Sequence, residues 1–364
     1  MPDRLPRHCA STVRNSLLPW FSASARDMPW RRVRTPYTVW ISETMLQQTR
    51  VETVIPYFNL WMRIFPDCER LASADLEEVL KCWEGLGYYA RARNLHHAAG
   101  QVVERFGGQI PSDPEGLRSL KGIGPYTLHA ILSLAFDQPY AVLDGNVERV
   151  LTRFCAIDRD IRKPQVKKQL QTLATRMLAD HPPALFNEAM MELGATVCLP
   201  ANPRCGVCPL APVCRGTRTG NPEQFPVKSK RAPVPTVQVG AGVVWRDDET
   251  FLIARRKPEG MLGGLWEFPG GKVEPGEKME DCIARELLEE LGIRVRVEKE
   301  LLRVRHSYTH FHLRMQVHHC RWQGDEPRAL DCADYRWVRL ADCRKLPFSR
   351  ADLKVIDELA KTLT

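Results

Sequence analysis

Four of the chain's twelve cysteines fall within seventeen residues, CLPANPRCGVCPLAPVC, at positions 198, 205, 208 and 214. Four thiolates this close can enclose one inorganic centre, so the stretch reads as a closed loop. Tetrathiolate zinc sites usually pair two C-x2-C motifs, whereas this array is C-x6-C-x2-C-x5-C, one such pair with two outlying cysteines. The other eight (Cys9, Cys68, Cys82, Cys155, Cys282, Cys320, Cys332 and Cys343) are scattered singly, unlike the disulfide framework of a small secreted domain.

The hydrophobic pattern differs on either side of that loop. From Ser11 to about Met191, apolar residues recur at helical spacing, as in VETVIPYFNLWMRIF and LRSLKGIGPYTLHAILSLAF, with Pro and Gly punctuating the ends. This half is expected to be all-α. After the cysteines, GTRTGNPEQFPVKSKRAPVPT is rich in Pro, Gly and cations and has no period, which is a linker composition. Beyond it, TVQVGAGVVW, FLIARR, RVRHSYTHFHLRMQVHHCRW and DYRWVRL are strand-like, with an acidic helix between them and a closing helix in RADLKVIDELAKTL, an α+β pattern. The expected division is a domain over 1–216 containing the cysteine loop 198–214, a linker over 217–235 and a second domain over 236–364.

Charge and hydropathy narrow the partners. Residues 1–220 hold 27 Lys and Arg against 21 Asp and Glu, a balance of +6 out of the chain's +8, so an anionic partner is expected mainly for the first part. No run of eighteen apolar residues occurs and the N-terminal stretch lacks an apolar segment, so neither membrane insertion nor export is expected, and a cytoplasmic location is.

LKGIGPYT, residues 120–127, sets Gly122 and Gly124 at a tight turn and Pro125 at a first helical position, where free backbone N–H groups can hold a phosphate. Any helix-turn-helix junction supplies as much. Twenty residues after Gly124, AVLDGNVERV places Asp144 and Asn146 just before another helix, so a helical hairpin gripping DNA backbone would bring a carboxylate close to a sugar. With the cysteine spacing, this combination resembles the helix-hairpin-helix DNA glycosylases of the endonuclease III and MutY family. The resemblance covers nearly the whole chain and implies a 4Fe-4S cluster on Cys198, Cys205, Cys208 and Cys214. In the strand-nicking branch of that family a lysine nucleophile stands in the hairpin's second helix. Here the position is Tyr126, which cannot form a Schiff base, so the resemblance is to the monofunctional, adenine-removing branch.

Adenine leaves deoxyribose poorly, so an enzyme must protonate the base and stabilise the oxocarbenium-like sugar. In PWRRVRTPYTVWISETMLQQTR, Glu43 sits mid-helix between apolar neighbours, where a carboxyl's pKa rises and it becomes an acid near neutrality; elsewhere such a Glu is a solvated helix residue. The resemblance implies Glu43 as general acid on the adenine imidazole ring, Asp144 as the anion facing the sugar, and Tyr126 and Asn146 as groups that orient them. By the same match Arg26, Trp30, Arg31, Leu46, Val51 and Glu188 line the adenine pocket, though each alone is also an ordinary core or surface residue. A base inside duplex DNA must be flipped out and its gap filled. Gln48 and Tyr88 match the family's inserted residues, Gln48, Thr49 and Leu86 would touch the opposite base, and Gly122 and Gly124 would meet the backbone. The implied partner is double-stranded DNA carrying adenine opposite 8-oxoguanine or guanine, and the implied context base excision repair by a monomer at a bacterial nucleoid.

GKVEPGEKMEDCIARELLEELGI, residues 271–293, places Glu286, Glu289 and Glu290 on one helix face. Like charges so spaced oppose one another, which leaves two readings: a solvated acidic face, or a shared divalent cation. Gly271, Glu277, Arg285, Glu286, Glu289, Glu290 and Gly292 match the full Nudix box, and the resemblance implies a MutT-like Nudix domain, with Mg2+ on Glu277, Glu286, Glu289 and Glu290 if the box is active. In VRHSYTHFHL, Tyr308, Thr309 and His310 stand where the family has the Phe-Ser-His turn that reads 8-oxoguanine in DNA. Two alternatives remain open at this level: a protein that also hydrolyses 8-oxo-dGTP, and a non-catalytic lesion-binding module.

Overall fold

The computed structural model describes Leu5 and residues 8–179, 181–229, 233–246 and 249–362. Residues 230–232 of the expected linker, and 247–248 in the turn between the first two strands, lie outside the described residues. The chain forms two compact units, one of Met1–Arg70 with Ala98–Arg231 and the other of Leu71–His97 with Ala232–Thr364.

The principal helices before the linker are α1 (Pro36–Met45), α2 (Val51–Ile64), α3 (Leu76–Cys82), α4 (Ala90–Phe106), α5 (Pro125–Ala130), α6 (Gly145–Cys155), α7 (Pro164–Leu178) and α8 (Pro183–Thr196). Pro36 opens α1, and Thr35 and Thr38 cap it reciprocally: the Thr38 N–H donates to the Thr35 hydroxyl at 3.1 Å and the Thr35 N–H to the Thr38 hydroxyl at 2.9 Å. Such a cap is worth about 1 kcal/mol. Every residue of α1 from Tyr37 to Met45 is buried, so this helix runs through the core and carries Glu43 inside with it.

α6 packs Val147, Val150, Leu151 and Phe154 into a cluster with Val166, Leu170, Leu173 and Met177 of α7 and Phe186, Met190 and Leu193 of α8. Its start is set by Asp144, whose carboxylate accepts from the Val147 N–H at 2.7 Å. α8 approaches that start closely because residue 194 is glycine: a Cβ there would lie 2.5 Å from the Asn146 Cβ. The hairpin turn uses its two glycines differently. Gly122 has φ +81°, in the left-handed region, while Gly124 is extended at φ −89° and a Cβ on it would meet nothing within 4 Å.

The early part of the expected linker is held on the helical unit. The Ile161 N–H donates to the Val227 carbonyl at 3.1 Å, and Phe225 is buried with its carbonyl accepting from Arg153 Nε at 3.0 Å.

The second unit is built on a seven-stranded mixed sheet: β1 (Thr236–Trp245), β2 (Phe251–Arg255), β3 (Trp266–Glu267), β4 (Gly270–Lys272), β5 (Val295–Ser307), β6 (His312–Trp322) and β7 (Asp334–Val338). The order is β3-β2-β1-β6-β5, with β4 on β1 and β7 on β2, and only β1 and β6 run parallel among the named pairs. Two apolar clusters flank the sheet. One includes Ile283, Leu287 and Leu291 of α9 (Met279–Leu291), and the other Val355, Ile356 and Leu359 of α10 (Arg350–Thr362). Gly240 and Gly242 of β1 make room for α9, since a Cβ at Gly240 would lie 2.8 Å from Ile283. Within this unit α3 and its following turn bond to the C-terminal part: Glu77 accepts from Trp266 Nε1 at 2.7 Å and Glu84 from the Phe348 N–H at 2.8 Å. Among the described residues no helix is long and apolar enough to cross a membrane.

Candidate active site

In the first unit a cavity of about 1150 Å³ opens between α1, the hairpin turn, the start of α6 and α8. It brings together Glu43, Tyr126, Asp144 and Asn146, the pocket residues Arg26, Trp30, Arg31, Leu46, Val51 and Glu188, and the contact residues Gln48, Thr49, Gly122 and Gly124.

Glu43 is 4% exposed, and its carboxyl accepts a short hydrogen bond from the Tyr126 hydroxyl. Just past the end of α1, Gln47 Nε2 donates to Thr127 Oγ1 at 3.2 Å, so the last turn of α1 and the turn that follows it are both fastened to α5. Burial pushes the Glu43 carboxyl up to about 7, and the charges of Asp144 and Glu188 push the same way, against the Tyr126 bond and Arg31. Tyr126 itself is raised well above its ordinary value by burial and by Glu43, so its proton stays on and its hydroxyl stays a donor. Burial also raises Asp144, but this carboxyl has what Glu43 lacks: the Val147 N–H at 2.7 Å, the Asn146 side-chain amide at 3.0 Å and the Asn146 backbone hold the increase back. The two carboxyls of the cavity thus stand in unequal environments, Asp144 with two donors on its carboxylate and Glu43 with the Tyr126 hydroxyl.

The wall opposite is an ion-pair network that the sequence reading only half contained. Arg31 donates to Glu188 at 3.2 Å and to Glu192 at 3.0 Å, Arg26 reaches Glu192 at 2.7 Å, and Arg34 bonds Glu188. Glu192 is 1% exposed; burial would raise it, but Arg26 and Arg31 hold it below its ordinary value. Glu188 and Glu192 are four residues apart on α8, a spacing readable as one helix face. Trp30 is buried edge-to-face on Phe58, 5.3 Å between ring centres. Arg149, also unforeseen, bonds Asn146 Oδ1 at 2.8 Å, the Gly194 carbonyl at 2.7 Å and the Cys198 carbonyl at 2.7 Å, joining the support of Asp144 to the start of the cysteine loop.

Cys198, Cys205, Cys208 and Cys214 are half-buried free thiols on two short 3-10 turns and their flanks. The buried Arg153 guanidinium organises the loop, donating to the Leu199 carbonyl at 2.6 Å, the Pro200 carbonyl at 2.8 Å and Cys198 Sγ at 3.5 Å. Burial, opposed by the Leu210 backbone and reinforced by the other three thiols, pushes Cys208 up to about 12, so the four sulfurs act on one another. Among the described residues no group of three or more His, Cys, Asp or Glu stands in an arrangement that could hold a metal ion. The donor set nonetheless fits an iron-sulfur cluster in kind: four thiols in one short loop, with burial raising Cys198 and the guanidiniums of Arg153 and Arg149 opposing that rise.

The remaining expected contacts belong to the second unit. Tyr88, at φ +49°, bonds the Thr309 hydroxyl through its own; Thr309 and His310 are exposed at the β5–β6 turn. Tyr308 is packed inward, 5.0 Å from Phe311 and 4.6 Å from His306 between ring centres. Leu86 is 6% exposed and lies in the core of its unit. Gln48, in the first unit, also has a left-handed backbone, φ +60°, uncommon for a residue with a side chain.

On α9 the acidic face already has a cation. Arg285 donates to Glu277 at 2.8 Å, to Glu286 at 3.0 Å and to Glu289 at 3.1 Å, and its hydrogen bond holds Glu277 down at about 2. Burial and the charge of Glu286 lift Glu290 to about 7. Arg285 thus occupies Glu277, Glu286 and Glu289, whereas Glu290 keeps one buried carboxyl oxygen without a hydrogen-bond partner among the described residues.

Residues 41–176 match the HhH-GPD superfamily of base excision DNA repair proteins, and residues 240–358 match the NUDIX domain. A thermostable thymine-DNA glycosylase of known structure aligns over 58% of this chain and 97% of its own with a TM-score of 0.51 and 25% identity. Fold and cavity together thus define a helix-hairpin-helix DNA glycosylase joined to a Nudix domain. Among full-length relatives, the adenine DNA glycosylases of Rattus norvegicus and Homo sapiens are each 36% identical, over 95% of this chain and 77% and 73% of theirs. The chain belongs to the adenine DNA glycosylase family.

Proposed function

We propose that this chain hydrolyses the N-glycosidic bond of adenine mispaired with 8-oxoguanine, or with guanine, in duplex DNA, as a monofunctional and monomeric enzyme of base excision repair. The observation that carries the reading is Glu43: a carboxyl lifted to about 7 by burial, aligned by Tyr126, in one cavity with the better-hydrogen-bonded Asp144. In the mechanism, Glu43 gives its proton to the imidazole ring of the flipped adenine. The C1′–N9 bond then breaks with its electron pair going to the base, and Asp144, held by Val147 and Asn146, offsets the positive charge left on the sugar. Water adds to C1′ and its proton returns to the ionised Glu43. Arg26, Trp30, Arg31, Leu46, Val51 and Glu188 shape the pocket, with Arg34 and Glu192 fixing the charged ones.

We take residues 1–216 as the glycosylase domain and 236–364 as the domain that reads 8-oxoguanine, the reading groups being Tyr308, Thr309 and His310 with Tyr88; Gln48 and Thr49 serve the opposite base, and Gly122 and Gly124 the backbone. The four thiols would hold a 4Fe-4S cluster, which when bound cross-links the loop 198–214. Glu43→Gln tests the proposal: it should abolish adenine release from an A·8-oxoguanine duplex while leaving DNA binding in place, and undiminished release by that variant would overturn it.

A further inference from the structure

β1, β5 and β6 share an exposed face at the end of the sheet next to the Tyr308-Thr309-His310 turn. Strand alternation puts Thr236 and Gln238 on the same side as Gly240 and Gly242, the side that receives α9. The register sets Arg314 between Gln238 of β1 and Arg305 of β5, and His312 between Thr236 and Ser307. These six side chains are exposed. Five of the lining residues of a cavity of about 350 Å³ come from this patch, and none of its lining residues is acidic.

Two arginines directly opposite one another on neighbouring strands repel. The other arginines of β5 and β6 have carboxylate partners: Arg296 and Arg321 on Glu298, and Arg303 on Glu300. Among the described residues Arg305 and Arg314 form no ion pair, so their repulsion is left without an internal counter-charge. The surroundings add to the positive field, since Lys354 donates to the Arg305 carbonyl at 3.2 Å and Lys354 and Arg350 both act on the half-buried His306. A pair of guanidinium forks flanked by the hydroxyls of Thr236 and Ser307 matches the oxygens of a phosphate ester. No Phe, Tyr or Trp lines the cavity, and of its two imidazoles His306 is half-buried against Tyr308 while His312 is hydrogen-bonded to the Ser307 hydroxyl, so it suits a strand's backbone better than a free nucleotide.

We propose that Arg305 and Arg314 bind a phosphodiester of the DNA strand presented to the turn that follows Ser307. This rests on the reading of that turn as the DNA-facing edge of the second unit. Full-length protein and its Arg305→Ala/Arg314→Ala variant would be titrated with an undamaged duplex over a range of salt concentrations. The slope of log K against log [salt] should fall by about one in the variant, with the loss of affinity largest at low salt. Arg305→Lys/Arg314→Lys should retain most of the slope. An unchanged slope in the alanine variant would overturn the proposal. So would binding of inorganic phosphate or dGTP that the alanine variant loses while its DNA slope stays intact, because the ligand would then be a free nucleotide. Absence of adenine release by the unsubstituted protein would strike the excision reading alone, since the slope is measured on DNA that is not cut.

Discussion

Removing the Tyr126 hydroxyl should move the alkaline limit of catalysis in a defined direction. Tyr126 donates to the Glu43 carboxyl, and that bond holds down a pKa that burial nonetheless lifts to about 7. A hydrogen bond to a charged group is worth about 1.5–3 kcal/mol, and about 1.4 kcal/mol is one pH unit, so Tyr126→Phe should lift Glu43 by about one to two units. The general acid must be protonated to act. In the parent the single-turnover rate therefore falls as pH rises through about 7, and in the variant it should fall only at about 8 to 9. Any acidic limb should move much less, because the Asp144 carboxyl is held by Val147 and Asn146 rather than by Tyr126. Single-turnover release of adenine from an A·8-oxoguanine duplex, followed from pH 5 to 10, reads both limbs. An alkaline limb that stays in place or moves toward acid would show that Tyr126 does not tune Glu43, and one shifted together with the acidic limb would show a general disturbance.

Other perturbations probe the supports. A carboxyl raised from 4.5 to about 7 costs folded stability progressively between those pH values and fully above them, so Glu43→Gln should unfold at higher temperature than the parent at pH 8, by up to about 3 kcal/mol, and at nearly the same temperature at pH 4. Equal stability at both pH values would contradict the burial argument. Gly194→Ala should push the start of α6 away from α8, costing about 1–3 kcal/mol in thermal unfolding and slowing excision through Asp144 and Asn146 more than it weakens DNA binding. Arg153→Ala leaves the carbonyls of Leu199, Pro200 and Phe225 without their donor, and should lower both the melting temperature and the iron content and visible absorption of purified protein; unchanged iron would separate Arg153 from the loop's integrity.

Features that depend on neighbours in sequence were legible before the structure. Glu43 lies between Trp40, Ile41 and Met45 on one apolar stretch of helix, Asp144 caps α6 because an aspartate precedes a helical run, and the cysteine spacing and hairpin glycines are local patterns. Features that depend on the choice of a distant partner were not. Nothing near Arg26 shows that it will reach Glu192, nothing near Gly194 shows that Asn146 will press on it, and helix-periodic sequence does not say that Leu71–His97 will group with the C-terminal unit. On α9 the helical spacing shows that the carboxylates crowd one face, but not that Arg285 of the same helix meets three of the box's carboxylates and leaves Glu290 apart.

α6 holds Asp144 at its start and Arg153 in its last turn, with Arg149 between them. The distance and angular phase among these three are fixed by residue count alone, nine peptide units of rigid helix. Point changes on its outer side leave that phase intact. A single inserted or deleted residue turns everything downstream by about 100°, swinging Arg153 away from the cysteine loop while Asp144 stays at the cavity. Descendants of this gene can therefore drift in the sequence of α6 but not in its length, and its boundaries should be the last place in the helical unit where insertions accumulate.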